Sequence, residues 1–336
     1  MQKRNKSRIM KSLYLACRLF LIAIITVLCT NCDDGKLEVK SINFTSVLVQ
    51  SCSTNNLLYK NNGTELLILD IPLTKFANDE TMANNPIVVN LSSTERVIYR
   101  SYNGSVGSAN ICPTLPSTTP QVQQEWVATN GVVLITSTAI KTFDNNTNAT
   151  RITGYKHNIV FRNLTWDTPN GQVVWAYDYT YGDYQTNVTK PSFNFGLTLT
   201  TIPCSVQRIF ACNVSESIEL NLATPATAFA SSVTAAGAPR IIVLDDANKV
   251  IYRNYINGLI SPSYYCAATL PSSPTLNESW IALNGESTIS GWIEVETTTS
   301  GPDFLHTVTL CKMKFQKGNS TFYLADRFLL GTLLTN

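Results

Sequence analysis

The stretch VIYRSYNG at residues 97–104 returns as VIYRNYING at residues 250–258. Nothing else constrains the fold as strongly, because the match extends outward in both directions. Phe76 corresponds to Phe229 at the same offset of 153 residues, and Cys112, Trp126 and Gly131 correspond to Cys266, Trp280 and Gly285 at an offset of 154. INF ahead of Cys52 is mirrored by FNF ahead of Cys204, and YKHNIVF around His157 by FLHTVTL around His306. A period this long is a whole domain, not a solenoid unit that needs neighbours to bury its core. The copies are expected over 42–189 and 190–336, with Lys190 and Pro191 at the joint.

Within each copy the local signals are those of strands. Thr, Ser, Asn, Tyr and Val are abundant, only 14% of the residues are charged, and runs of helix formers are missing. Apolar and polar residues alternate in NIVFRNLTW and HTVTLCKMKF. Asn130-Gly131 and Asn284-Gly285 interrupt such runs at matched places, and Asn-Gly accepts the positive φ that two-residue hairpin turns require, so a hairpin is expected at each. The pattern predicts an all-β chain of two tandem, homologous, antiparallel β-sandwich domains of the Ig-like kind. Duplication preserves core and turn positions whether or not they bind anything, so VIYR, Trp126 and Trp280 read as packing residues.

The N-terminus speaks to location. Lys3, Arg4, Lys6, Arg8, Lys11 and Arg18 precede or border an apolar run at 19–28, with no acid among the first 31 residues. That is a basic segment ahead of a short hydrophobic one, too short for the roughly 20 residues a spanning helix needs, so residues 1–31 read as a cleaved export signal. Setting those six aside from 25 basic residues leaves 19 against 23 acids. The mature chain is then mildly acidic, and nucleic-acid binding loses its main electrostatic argument.

The signal ends in VLCTNCDDGK. A hydrophobic run ending at a cysteine resembles the lipobox of bacterial lipoproteins, which implies that Cys32 is lipidated and that residues 32–41 form the anchor and a short tether. Asn31 stands where a lipobox usually has a small residue. The combination of signal, cysteine and CDDG is similar to surface lipoproteins of Bacteroidota, in which acidic residues after the lipidated cysteine act as an export tag. LLYKNNG, VIYRSYNG and CPTLPSTTP resemble flavobacterial lipoproteins. The resemblance implies an outer-membrane location, anchored by lipid and facing the cell surface, and supplies no catalytic residues. An ordinary secretory signal with incidental cysteines is the alternative.

Six further cysteines follow, at 52, 112, 204, 212, 266 and 311. An even number in an exported chain favours disulfides, and beyond the signal no C-x-x-C suggests a metal. Cys52 corresponds to Cys204 and Cys112 to Cys266, so the repeat predicts Cys52–Cys112 and Cys204–Cys266, leaving Cys212–Cys311 as a third bridge.

Little in the chain points to catalysis. His157 and His306 sit at matched positions in separate copies, and no nucleophile elbow, HExxH or phosphate loop is present. DNNTNAT from Asp144 begins like a calcium loop, but Ala149 and Tyr155 stand where Gly and a bidentate Glu belong, so it reads as a solvated turn. Asn-x-Ser/Thr sequons recur, with too small an excess over chance to indicate a glycoprotein. The most suggestive stretch is WAYDYTYGDY: on a strand Trp175, Tyr177, Tyr179 and Tyr181 share one face, which either stacks under a glycan or, the favoured reading, packs inward. The expectation is a non-enzymatic, lipid-anchored chain without cofactor or metal, serving binding, adhesion or envelope assembly. A glycan or an envelope protein is its candidate partner, and a hydrolase with a hidden site is the remaining alternative.

Overall fold

β16 (Asp303–Cys311) shows how this sequence makes strands: His306, Val308 and Leu310 point inward and are fully buried, while Thr307 and Thr309 between them are half-exposed. The computed structural model describes residues 42–115, 117–196, 198–202, 208–267 and 269–336. The expected signal over 1–31, the expected lipidation site Cys32, the expected tether to residue 41 and Cys204 lie outside the described residues. Residues 44–336 form one unit.

Over residues 42–189, the stretch expected from the sequence to be the first copy and called so below, the strands are β1 (Gln50–Ser51), β2 (Leu57–Asn61), β3 (Glu65–Asp70), β4 (Ile87–Asn90), β5 (Arg96–Tyr102), β6 (Val122–Phe143), β7 (Thr150–Thr168) and β8 (Gly171–Asn187). They make a single antiparallel sheet in the order β1-β2-β3-β5-β6-β7-β8, with β4 added to β6. β6 is 22 residues long and changes partner along its length: Val122–Val127 pair with β5, and Val132–Ile135 with β4. The last strand also reaches back to the early ones, since Lys60 Nζ on β2 donates to the carbonyl of Tyr181 on β8 at 2.7 Å and the Tyr181 hydroxyl donates to the carbonyl of Leu67 on β3 at 3.2 Å.

The second copy has β9 (Thr200–Ile202), β10 (Arg208–Cys212), β11 (Glu216–Asn221), β12 (Arg240–Val243), β13 (Lys249–Ile256), β14 (Thr275–Ala282), β15 (Trp292–Ser300), β16, β17 (Lys314–Lys317), β18 (Ser320–Tyr323) and β19 (Arg327–Thr335). These form a seven-stranded sheet, β18-β17-β14-β13-β11-β10-β9, and a four-stranded sheet, β12-β15-β16-β19. Ile218, Val250 and Trp280 of the first join Ile293, Val308 and Leu330 of the second in one core, so the sheets pack face to face.

The Asn-Gly pairs that marked hairpins in the sequence do something else here. Gly131 lies inside β6, at φ +118, where two register shifts turn the strand from β5 toward β4. A Cβ there would meet Leu164 Cδ2 at 2.8 Å and the Asn163 carbonyl at 2.9 Å. Asn284-Gly285 lies in the passage from β14 in one sheet to β15 in the other, and a Cβ on Gly285 would collide with the Gly291 carbonyl oxygen. Gly131, at positive φ, serves a change of partner within one sheet, and Gly285, through its missing Cβ, a close backbone crossing between two sheets; both properties suit a bulge or a crossing as well as a hairpin.

Each copy carries a second, smaller apolar layer outside the sheet. In the first, Cys52, Tyr59, Leu66, Ile68, Ile98 and Val106 cluster under the segment that follows β5, and Cys52 is bridged to Cys112. In the second, Phe210, Tyr255, Ile260, Tyr264 and Tyr265 take that place. This cover explains why Ser217 and Glu219 of β11 are buried: Ser217 meets the Tyr265 hydroxyl, and Glu219 accepts from Arg253.

The predicted Cys212–Cys311 bridge is not formed; both are free thiols. Cys212 ends β10 in the seven-stranded sheet and packs beside the tyrosine layer, whereas Cys311 ends β16 in the four-stranded sheet, fully buried, with its Sγ toward the Thr309 carbonyl. The expected Cys204–Cys266 pairing lies outside the described residues.

The copies share their interior. Ile152 and Tyr155 of β7 belong to the same core cluster as the second copy's residues. Around this shared core lies a polar seam in which Asp79 takes the hairpin between β17 and β18, and Arg151 donates to the Tyr323 carbonyl at 2.9 Å. The DNNTNAT turn also serves the seam: Asn148 Nδ2 donates to Asp326 at 2.7 Å, and Asp326 N–H to the Thr147 carbonyl at 3.0 Å.

Candidate functional site

The two histidines are the most chemically versatile groups in the described chain, and strand alternation aims both inward. His157 Nδ1 lies 2.8 Å from Ser137 Oγ on β6, and its Nε2 lies 3.0 Å from Thr186 Oγ1 on β8. Thr186 Oγ1 in turn donates to Asn78 Oδ1 at 3.0 Å, so the imidazole donates from Nε2 and accepts at Nδ1. His306 repeats the arrangement, with Nδ1 2.7 Å from Thr297 Oγ1 and Nε2 2.8 Å from Thr335 Oγ1. Phe76 and Phe229 each stand edge-on to their histidine at 5.4 Å.

The frame around each ring also repeats. Thr81 N–H donates to the Ser137 carbonyl and Ser137 N–H to Thr81 Oγ1, just as Thr234 and Thr297 do in the second copy, at 3.0 to 3.1 Å throughout. Each imidazole thus ties three antiparallel strands and an incoming loop. Burial pushes the His157 pKa down to about 4, and burial together with the nearby Arg240 lowers that of His306.

Ser137 and His157 resemble a nucleophile and base only on paper. Both side chains are buried, and no carboxylate orients the far nitrogen, which faces a threonine instead. The sequence located the histidines but missed Ser137, Thr186, Thr297 and Thr335, because hydroxyl residues are too numerous for proximity along the chain to single them out.

The aromatic row of β8 is split by the structure. Trp175 and Tyr181 are 7% and 0% exposed, Tyr179 is half-buried, and Tyr177 stands out at 55%. Two bulges break the strict alternation: Ala176 and Tyr177 stand against Asn163 alone, and Tyr181 is the extra residue between the pairs Ile159–Gly182 and Val160–Thr180. Tyr177 stacks on Trp175 at 5.8 Å, Trp175 meets Trp166 edge-on at 5.1 Å, and Tyr181 packs on Phe161 at 4.8 Å. The row is chiefly a core stripe with one ring in solvent. Asp178 beside it is held by Arg162 through two bonds of 2.6 and 2.7 Å, which lower its pKa.

Among the described residues no group of three or more His, Cys, Asp and Glu is placed to hold a metal, and no helix is long and apolar enough to cross a membrane. No protein-family model, no curated protein and no solved structure matches the chain.

Proposed function

We propose that this chain is an outer-membrane lipoprotein, anchored through Cys32, whose exported part is a tandem of two duplicated Ig-like domains with a non-catalytic binding, adhesion or envelope-assembly role. The observation that carries the reading is the Cys52–Cys112 disulfide downstream of a basic, apolar and cysteine-terminated leader, since such bridges persist in oxidising compartments beyond the cytoplasm. Support for duplication comes from matched registers: Tyr99 faces Trp126 between β5 and β6, and Tyr252 faces Trp280 between β13 and β14. The repeated histidine frames and the shared seam favour a rigid double module over two beads on a flexible linker.

Radiolabelled palmitate tests the anchor. Label on the wild-type chain that disappears in Cys32→Ala is the expected result; absence of label, or label that persists in the variant, overturns it. Protease shaving of intact cells then reads orientation, with digestion expected before the outer membrane is opened.

A second reading, a glycan-binding surface lipoprotein of a polysaccharide uptake system, draws on Tyr177, whose exposed ring is backed by Trp175 and flanked by Asp178. Glycan-array binding that is lost in Tyr177→Ala at unchanged Tm favours it over simple adhesion.

A further inference from the structure

β12 is the terminal strand of the four-stranded sheet, and a cleft of about 450 Å³ runs along its outer side. The far wall is the segment 222–228, which includes the helical turn Pro225–Ala228. Leu222 and Ala228, both buried, and the half-buried Ile242 give the cleft an apolar lining, beside the hydroxyls of Thr224 and Thr227. One end is closed by Asn248, whose Oδ1 accepts Ala223 N–H at 3.1 Å, and the other by Arg240, whose Nη2 donates to Ser232 Oγ at 2.8 Å. The charged groups are already engaged: Arg240 also donates to Thr297 Oγ1 at 2.6 Å, and Asp245 accepts the N–H groups of Ala247 and Asn248. The cleft is therefore not built to read charge.

The backbone of β12 is what faces it. Leu244 N–H continues the ladder to β15 by donating to the Gly291 carbonyl at 3.0 Å, and the backbone groups of alternate residues in an antiparallel strand point to the same side. Arg240 and Ile242 accordingly turn their N–H and C=O to β15, whereas Ile241 and Val243 turn theirs to the cleft. Among the described residues no strand or loop backbone pairs with that side.

We propose that this cleft binds an extended peptide, which adds to the edge of β12 as a further strand and alternates small apolar with hydroxyl-bearing side chains. Unpaired backbone donors and acceptors in register are matched by another main chain. The segment 222–228 stands across the cleft from that edge and walls it on one side. Leu222 and Ala228 receive the apolar side chains, and Thr224 and Thr227 the polar ones. The proposal deepens the binding reading above by naming the class of partner, and it is independent of the lipid anchor.

The test uses the full chain in detergent with a blocked, fluorescent peptide of sequence KTVTVTK. Saturable binding by anisotropy is expected, together with slowed hydrogen exchange at the Ile241 and Val243 amides. Ile241→Pro removes one outward N–H while sparing the β12–β15 ladder, and should weaken binding about tenfold at unchanged Tm. Val243→Pro replaces it if the first variant does not fold, and the peptide N-methylated at alternate residues serves as the protein-independent control. Cys32→Ala should leave binding intact, which separates failure of this site from failure of the anchor. No saturable binding, unchanged exchange at those amides, or equal affinity in the proline variants overturns the proposal. Self-association that Ile241→Pro abolishes also overturns it, by assigning the edge to a second copy.

Discussion

Asp79 and Ser320 join the two copies: Asp79 Oδ1 accepts the backbone N–H of Ser320 at 2.9 Å and its hydroxyl at 2.7 Å. The same carboxylate accepts Asn319 N–H, and Glu80 N–H returns a bond to Ser320 Oγ at 2.9 Å. The carboxylate of one copy thus cradles a hairpin turn of the other, 241 residues away along the chain. Asp79→Ala leaves these donors short of an acceptor at the seam and should cost roughly 2–4 kcal/mol, whereas Asp79→Asn, which keeps one oxygen, should cost less. Urea unfolding checks both, and a single transition in the wild type is expected because Ile152 and Tyr155 belong to the second copy's core.

The histidine frames predict how stability responds to acid. His157 is held neutral when folded, with a pKa near 4, while in the unfolded chain it titrates near its ordinary value of about 6.5. A depressed folded pKa means that the unfolded chain takes up the proton first. Stability is complete above about pH 6.5 and falls as pH drops toward 4, by roughly 3 kcal/mol for this residue, with no further loss from it below. His306, also lowered, adds in the same direction. Denaturation midpoints at pH 7.5, 5.5 and 4 should show the slope, and His157→Gln, though less stable at every pH, should show a shallower one.

How much of this was legible in the sequence differs by feature. The matched placing of His157 and His306 was legible in YKHNIVF and FLHTVTL, though not their burial, and the Cys52–Cys112 bridge followed from the repeat. Asn130-Gly131 was misread because positive φ serves a bulge inside β6 as well as a turn, and no local signal distinguishes a strand that changes partner from one that reverses. The Cys212–Cys311 pair rested on elimination, which carries no information about which sheet each thiol occupies. Tyr177 escaped the period-two reading because β8 carries a bulge at Ala176 and Tyr177, set against Asn163 of the neighbouring strand, and nothing in β8's own residues marks it.

The cysteines separate by chemistry. Reduction of Cys52–Cys112 reopens a loop of 60 residues, and on the chain-entropy model its loss costs about 4 kcal/mol. Cys311 behaves oppositely: burial pushes its thiol up to about 12, so it is both inaccessible and protonated. Iodoacetamide at pH 8 should leave Cys311 unmodified in the folded chain and alkylate it in urea without any reductant. Peptide mapping that finds Cys311 in a disulfide would contradict this assignment.

Lys60 offers the sharpest single-residue test of how the first copy closes. Its side chain is 2% exposed, its amine donates to the Tyr181 carbonyl, and the ammonium lies 5.8 Å from the centre of the Tyr181 ring. Burial lowers its pKa. The unfolded lysine therefore holds its proton more tightly than the folded one, and stability should rise as pH climbs from neutrality toward about 10.5, the opposite of a salt-bridged lysine. Lys60→Met keeps the stem's packing against β8 and removes that pH response, at a cost of about 1 kcal/mol for the lost hydrogen bond. Lys60→Ala removes the stem as well and should cost roughly 2–4 kcal/mol through the cavity it leaves. If both substitutions prove equally damaging at pH 7, the hydrogen bond to Tyr181, rather than packing, holds β2 against β8.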